Sequence, residues 1–182
     1  MKNKHSQKFT FTTNQIAVVG VLMGLGLALS RVAIPLGTSN RLSLGFVVTG
    51  VISMLYGPWV GGFAAAGVDL LISFLFGQQG TIFIGFTITA FVNGVIYGLF
   101  LHRRRPNWKS LVLAVLFQTV VSNVILNTLW INILYQTPIP VLLAGRIPQN
   151  LIMAPVRFLL LYFVMTNNQL LRVFDRYTTA KK

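Results

Sequence analysis

LSLGFVVTGVISMLYGPWVGGFAAAGVDLLISFLF, Leu42 to Phe76, is an apolar stretch of 35 residues that contains one acid, Asp69. A helix crosses the hydrocarbon core of a bilayer with about 20 residues, within a range of roughly 17 to 25. The stretch is therefore too long for one crossing and sufficient for two short ones. It breaks at Gly57-Pro58, where glycine closes one helix and proline opens the next. The reading predicts two consecutive membrane crossings joined by a tight turn.

The rest of the chain agrees with that class. Of the 182 residues, 54% are hydrophobic and only 9% charged, against roughly a quarter charged in a soluble domain. Outward from the opening stretch, Thr13 to Ile34, Thr81 to Leu101, Ser110 to Tyr135 and a run from Ile147 or Pro148 to Leu171 supply four further spans. The expected architecture is all-α, a single transmembrane domain over residues 1–182 with six crossings. Residues 1–12 and 173–182 are read as basic cytoplasmic tails. The first run continues for about 20 residues without a small-residue cleavage site, so it reads as a membrane helix rather than a signal peptide.

A net charge of +13 would point to nucleic acid in a soluble protein, but its distribution points elsewhere. Lys2, Lys4 and Lys8 precede the first span, Arg103, Arg104, Arg105 and Lys109 flank one break, and Arg172, Arg176, Lys181 and Lys182 follow the last. Eleven of the fifteen basic residues thus lie in three segments, which six crossings place on one side. Positive residues favour the cytoplasmic side, so both termini are expected inside. The outer loops are then about 35 to 43, 76 to 82 and 136 to 147, with Arg41 and Arg146 as their only basic residues. Pro35 is expected to stop helix one, Gly37–Asn40 to turn the chain, and Arg31 to sit about one turn below the helix end.

Ionisable residues inside a membrane are functional candidates by default. Asp69 is the only acid in any span, some 16 Å above Pro58 at about 1.5 Å per residue. Thr87, Thr89 and Asn93 lie on helix four; Asn123, Asn127 and Trp130 share a face of helix five; Asn150 and Arg157 share one of helix six. Two readings stand. Asp69 pairs with Arg157 and the asparagines bond between helices, or these groups line a cavity open to the outside. The glycine-containing segment Phe76–Phe86, with Gly80 in the loop and Phe86 at the entry of helix four, allows close approach of a ligand. Gly20, Gly24 and Ala28, four apart on helix one, form a strip that suits either another helix of this chain or a membrane subunit.

No catalytic apparatus is legible. There is no cysteine, no metal-binding spacing and no phosphate loop, and one buried acid cannot form a carboxylate pair. No metal, cofactor or nucleic acid is expected. A binding subunit that borrows energy from partners fits these absences.

The segments "LSRVAIP", "LGFVVTGVISMLYGPWVGGFAAAGVDLLISFLF", "FIGFTITAFVNGVIYGLFL", "NVILNTLWINILY" and "AGRIPQNLIMAPV" resemble the substrate-binding S components of energy-coupling factor (ECF) vitamin transporters, specifically the folate branch. The resemblance covers about Ile16 to Leu171. It implies a six-helix fold with both termini inside, a cell-membrane location and a vitamin bound from outside under loops carrying Arg41, Gln78–Gly80 and Arg146. It also implies partners: a membrane coupling subunit (EcfT-type) and two ABC ATPase subunits (EcfA-type). The family's small-residue docking strip matches Gly20 and Gly24 here, and Arg157 stands where a neutral side chain is expected.

The resulting expectation is high-affinity folate capture. Asp69, Asn123, Asn127 and Trp130 are candidates for the pterin, with Gly80, Phe86, Asn93 and Asn150 around it. Arg31, Arg41 and Arg146 are candidates for the glutamate carboxylates. Another vitamin such as pantothenate, or a non-transport structural role, are the alternatives.

Overall fold

The computed structural model describes residues 13–31, 33–35, 41–76, 83–102, 107–167, 169 and 172. Six helices make up the body: α1 Thr13–Arg31, α2 Gly45–Tyr56, α3 Pro58–Phe76, α4 Ile84–Leu101, α5 Trp108–Tyr135 and α6 Ile139–Met165. Four of them, α3 to α6, are long and apolar enough to cross a membrane unaided, while α1 and α2 are shorter apolar helices. The 12 residues of α2 rise only about 18 Å, less than a hydrocarbon core of about 30 Å.

The shortening has a local cause, and it moves helix boundaries within a body that is helical as expected. Helix one does not run to Ile34; it ends at Arg31. Ala33–Pro35 (β1) and Arg41–Ser43 (β2) then form an antiparallel hairpin, in register Ala33 with Ser43, Ile34 with Leu42 and Pro35 with Arg41. Proline disfavours the helical region for the residue before it, so the chain leaves the helix ahead of Pro35. The hairpin then takes up residues that the sequence reading gave to the first two spans.

The break inside the opening stretch lies where it was expected. Gly57 has φ +97° and ψ 175°, a region that side-chain-bearing residues avoid, and α3 starts at Pro58. Immediately beyond, α3 and α4 approach through glycine. A Cβ on Gly94 would lie 2.3 Å from the Gly61 carbonyl oxygen, and one on Gly98 would lie 2.2 Å from Pro58 Cα. No side chain fits there, so backbones pack directly.

Two further boundaries differ from expectation. Thr119–Leu126 is wound as a π-helix inside α5, a widening that often marks functional sites. The sixth helix begins at Ile139 rather than near Ile147, because Pro138 and Pro140 suit a helix start and the internal Pro148 and Pro155 are tolerated. The connection before it is thereby reduced, and Arg146 belongs to a helix rather than to a loop.

Buried side chains form two clusters. Met54, Tyr97, Leu101, Leu111, Leu161 and Met165 join α2, α4, α5 and α6, while Val48, Ile52 and Ala64 pack under α1. Large apolar side chains such as Phe63, Phe74, Leu151 and Phe163 are exposed all around the bundle. That inversion of the soluble pattern suits a lipid environment.

Candidate functional site

The ends of the bundle differ. Arg31, the hairpin, Phe76, Phe83, Trp130 and Ile139 mark one end; Gly57, His102, Trp108 and Met165 mark the other. Contacts tie each end together: the Arg31 guanidinium carbon lies 3.2 Å from the centre of the Phe76 ring, and His102 Nδ1 is 3.1 Å from the Met54 carbonyl beside Gly57. Helix α1 begins and α6 ends at the second end, where the chain also passes from α4 to α5.

A cavity of about 260 Å³ runs from the first end into the bundle. Ser30, Ser43 and Gly45 lie at its outer part, Phe46, Thr49 and Val68 along its wall, and Asp69, Asn93, Tyr97 and Gln118 supply its deeper polar groups. Asp69 Oδ2 accepts from Thr87 Oγ1 at 2.9 Å, which leaves further lone pairs on the carboxylate. Asn93 Oδ1 and the Tyr97 hydroxyl are buried without a hydrogen-bond partner. Unpaired buried polar atoms cost roughly 1–3 kcal/mol each, so a wall that collects them suits a polar ligand.

The expected site residues divide between this cavity and a second group. Asp69 and Asn93 line the cavity. Asn123, Asn127, Trp130, Phe86, Arg146 and Asn150 are not among its lining residues; they lie along α4, α5 and α6. Trp130 Nε1 donates to Thr89 Oγ1 at 3.0 Å, one turn of α4 from Asn93, and Phe83 meets both Trp130 and Phe86 edge-on at 5.7 Å. Asn127 Nδ2 donates to Asn123 Oδ1 at 3.4 Å, so the shared face read from their spacing is real. Arg146 Nη1 donates to the Asn123 carbonyl at 2.9 Å in the π-turn, and Asn150 Nδ2 donates to the Arg146 carbonyl at 2.9 Å.

Asp69 and Arg157 have separate partners: Arg157 Nη1 donates to Gln118 Oε1 at 3.4 Å. The internal ion pair offered as one reading of these residues is replaced by those two hydrogen bonds. Arg31 ends α1, exposed and stacked over Phe76. Arg41 pairs through its backbone with Pro35; its side chain lies outside the described residues, as do Gly80, Gln78, Gln79, the tails 1–12 and 173–182, and Arg103 to Arg105. On α1, Gly20, Gly24 and Ala28 are all exposed, and a Cβ on either glycine would meet nothing within 4 Å.

Sequence reasoning missed Phe46, Tyr97 and Gln118. Gln118 carried a signal, being an amide within an apolar span, five residues before Asn123. Phe46 and Tyr97 carried none, since aromatic residues are common in membrane helices. Among the described residues, no group of three or more His, Cys, Asp or Glu could hold a metal ion.

Comparison with known proteins places the chain in a family. Residues 14–165 match the family of ECF transporter, substrate-specific components. The folate transporter FolT of Leuconostoc mesenteroides is 32% identical over 176 residues, covering 93% of this chain and 91% of that one. FolT of Clostridium novyi is 35% identical over 122 residues, 67% of this chain and 70% of that one. A crystal structure of FolT bound with folic acid superposes with a TM-score of 0.76 at 31% identity, covering 84% of this chain and 93% of that chain. With a helical bundle clad in apolar side chains and a polar cavity open at one end, the chain belongs to the substrate-specific components of ECF transporters, multi-pass proteins of the cell membrane.

Proposed function

We propose that this chain captures folate from outside the cell and delivers it across the membrane as the S component of an ECF transporter. The observation that carries the reading is the cavity: a lone intramembrane carboxylate, Asp69, faces it together with the unpaired Asn93 Oδ1. A pterin ring offers a donor-rich edge to such acceptors, and Phe46 supplies an aromatic wall. The likeness to FolT proteins in sequence, and to FolT bound with folic acid in fold, supports the choice of ligand.

The rest of the molecule follows the same axis. Phe86 and Trp130 lie toward the outer end, suited to the aminobenzoyl ring, with Asn123, Asn127 and Asn150 behind them. Arg31 stacks through its face on Phe76, so the edge N–H groups stay available to a carboxylate. Arg146 spends one of its five N–H donors on Asn123 and keeps others for the glutamate tail, with Arg41 and Gly80 in the adjoining outer loops. The positive-inside bias puts both termini and the Arg103–Arg105 connection in the cytoplasm.

The exposed strip Gly20, Gly24 and Ala28 is the surface proposed to dock the membrane coupling subunit, which in turn engages two ATPases. The decisive experiment is mass spectrometry of small molecules released from the purified protein, followed by calorimetric titration with folic acid. Release of a folate and stoichiometric binding are expected; a protein that carries and binds none would end the proposal.

A further inference from the structure

Arg157 has no place in the capture scheme above, yet it reaches the cavity floor through one neighbour. Gln118 is 5% exposed and lines the cavity; its Oε1 accepts from Arg157 Nη1 at 3.4 Å. A guanidinium only donates, so it turns the amide oxygen toward itself and the Gln118 Nε2 donors the other way, toward the cavity. Tyr97, 1% exposed and also lining the cavity, has a hydroxyl without a hydrogen-bond partner. The deep end therefore carries acceptors on α3 and α4, Asp69 and Asn93 Oδ1, next to donors on α4 and α5, Tyr97 and Gln118.

We propose that Gln118, oriented by Arg157, donates to the ring carbonyl of a bound pterin and makes the site select a carbonyl over an amine at that position. The inference rests on the folate reading. It adds the direction in which the ring lies, its amine-bearing edge toward Asp69 and Asn93 and its carbonyl toward α5. Arg157 is a positioning residue in this scheme, acting only through Gln118. An analogue with an amine in place of the carbonyl, aminopterin, brings a donor against a fixed donor, and a polar site rejects such a mismatch strongly.

Calorimetric titration of the purified full chain with folic acid and with aminopterin tests this. The wild-type protein is expected to prefer folic acid by roughly tenfold to a hundredfold, the range set by one unpaired buried polar group. Arg157→Met frees the amide to rotate, and the preference should fall to within about threefold of unity, whereas Arg157→Lys should retain it. Gln118→Glu pairs with Arg157 and turns an acceptor to the cavity, so aminopterin should become the better ligand. Folic acid bound by the wild type without preference, or a preference unchanged in both Arg157→Met and Gln118→Glu, overturns the proposal and leaves folate capture standing. A wild-type protein that binds neither compound removes both.

Discussion

At the scale of single residues, Asp69 and Gly57 show how function and fold draw on different physics. Asp69 sits in α3, lines the cavity and accepts one hydrogen bond, from Thr87, which leaves lone pairs over. A hydrogen bond to a charged group is worth about 1.5–3 kcal/mol, so Asp69→Asn should weaken folic acid about tenfold to a hundredfold in a binding titration. Unchanged affinity would remove Asp69 from the pterin site. Gly57 instead holds a backbone conformation nearly restricted to glycine, with the His102 ring against it. Gly57→Ala should cost about 1–3 kcal/mol, read as a lower thermal midpoint in detergent. Both residues were legible in the sequence, one as a lone acid in a span and the other as half of Gly57-Pro58. The side chains opposite Asp69 were not, because cavity walls are assembled from five helices distant in the chain.

At the scale of elements, glycine has opposite uses on different helices. Gly94 and Gly98 of α4 are pressed on the α3 backbone at Gly61 and Pro58. Gly94→Leu should overpack that contact, lowering stability by at least about 1–3 kcal/mol in a thermal shift assay. Gly20 and Gly24 of α1 touch nothing, although their spacing on the helix is the same four residues. Gly24→Leu should therefore leave folic acid binding intact and abolish co-purification with the coupling subunit; assembly that survives would take the docking role from this strip. Periodicity alone cannot separate the two uses. It says that two surfaces are smooth and not which of them has a neighbour. The hairpin after α1 and the early start of α6 were likewise hidden, since a strand pair of three residues and a proline-opened helix leave no hydropathy mark.

At the scale of the whole molecule, a polar cavity lies at one end, and the chain enters α1, passes from α4 to α5 and leaves α6 at the other. The chain has no cysteine, so single cysteines can report on sidedness without background. In intact cells, an impermeant thiol reagent is expected to label Asn40→Cys and to leave Arg104→Cys unmodified until the membrane is opened. The reverse pattern would place the cavity on the cytoplasmic side and end the capture model. Such a body also explains why Arg157 is tolerated. Its charge lies among polar neighbours of the bundle interior, Gln118 above all, where intramembrane cations belong.

Membrane class, the number of helices, the tight Gly57-Pro58 turn and the grouping of cations all followed from the sequence, because each depends on residues adjacent in the chain and on the cost of charge in hydrocarbon. Which polar groups meet was decided only in three dimensions. Asp69 found Thr87 rather than Arg157, and Gln118 rather than Asn123 reached the cavity. Those outcomes depend on helix rotation and on the π-turn in α5, which shifts the face presented by every residue beyond it. Rotation of a helix that is apolar on nearly every side is set by packing against its neighbours, and that information is absent from the order of its residues.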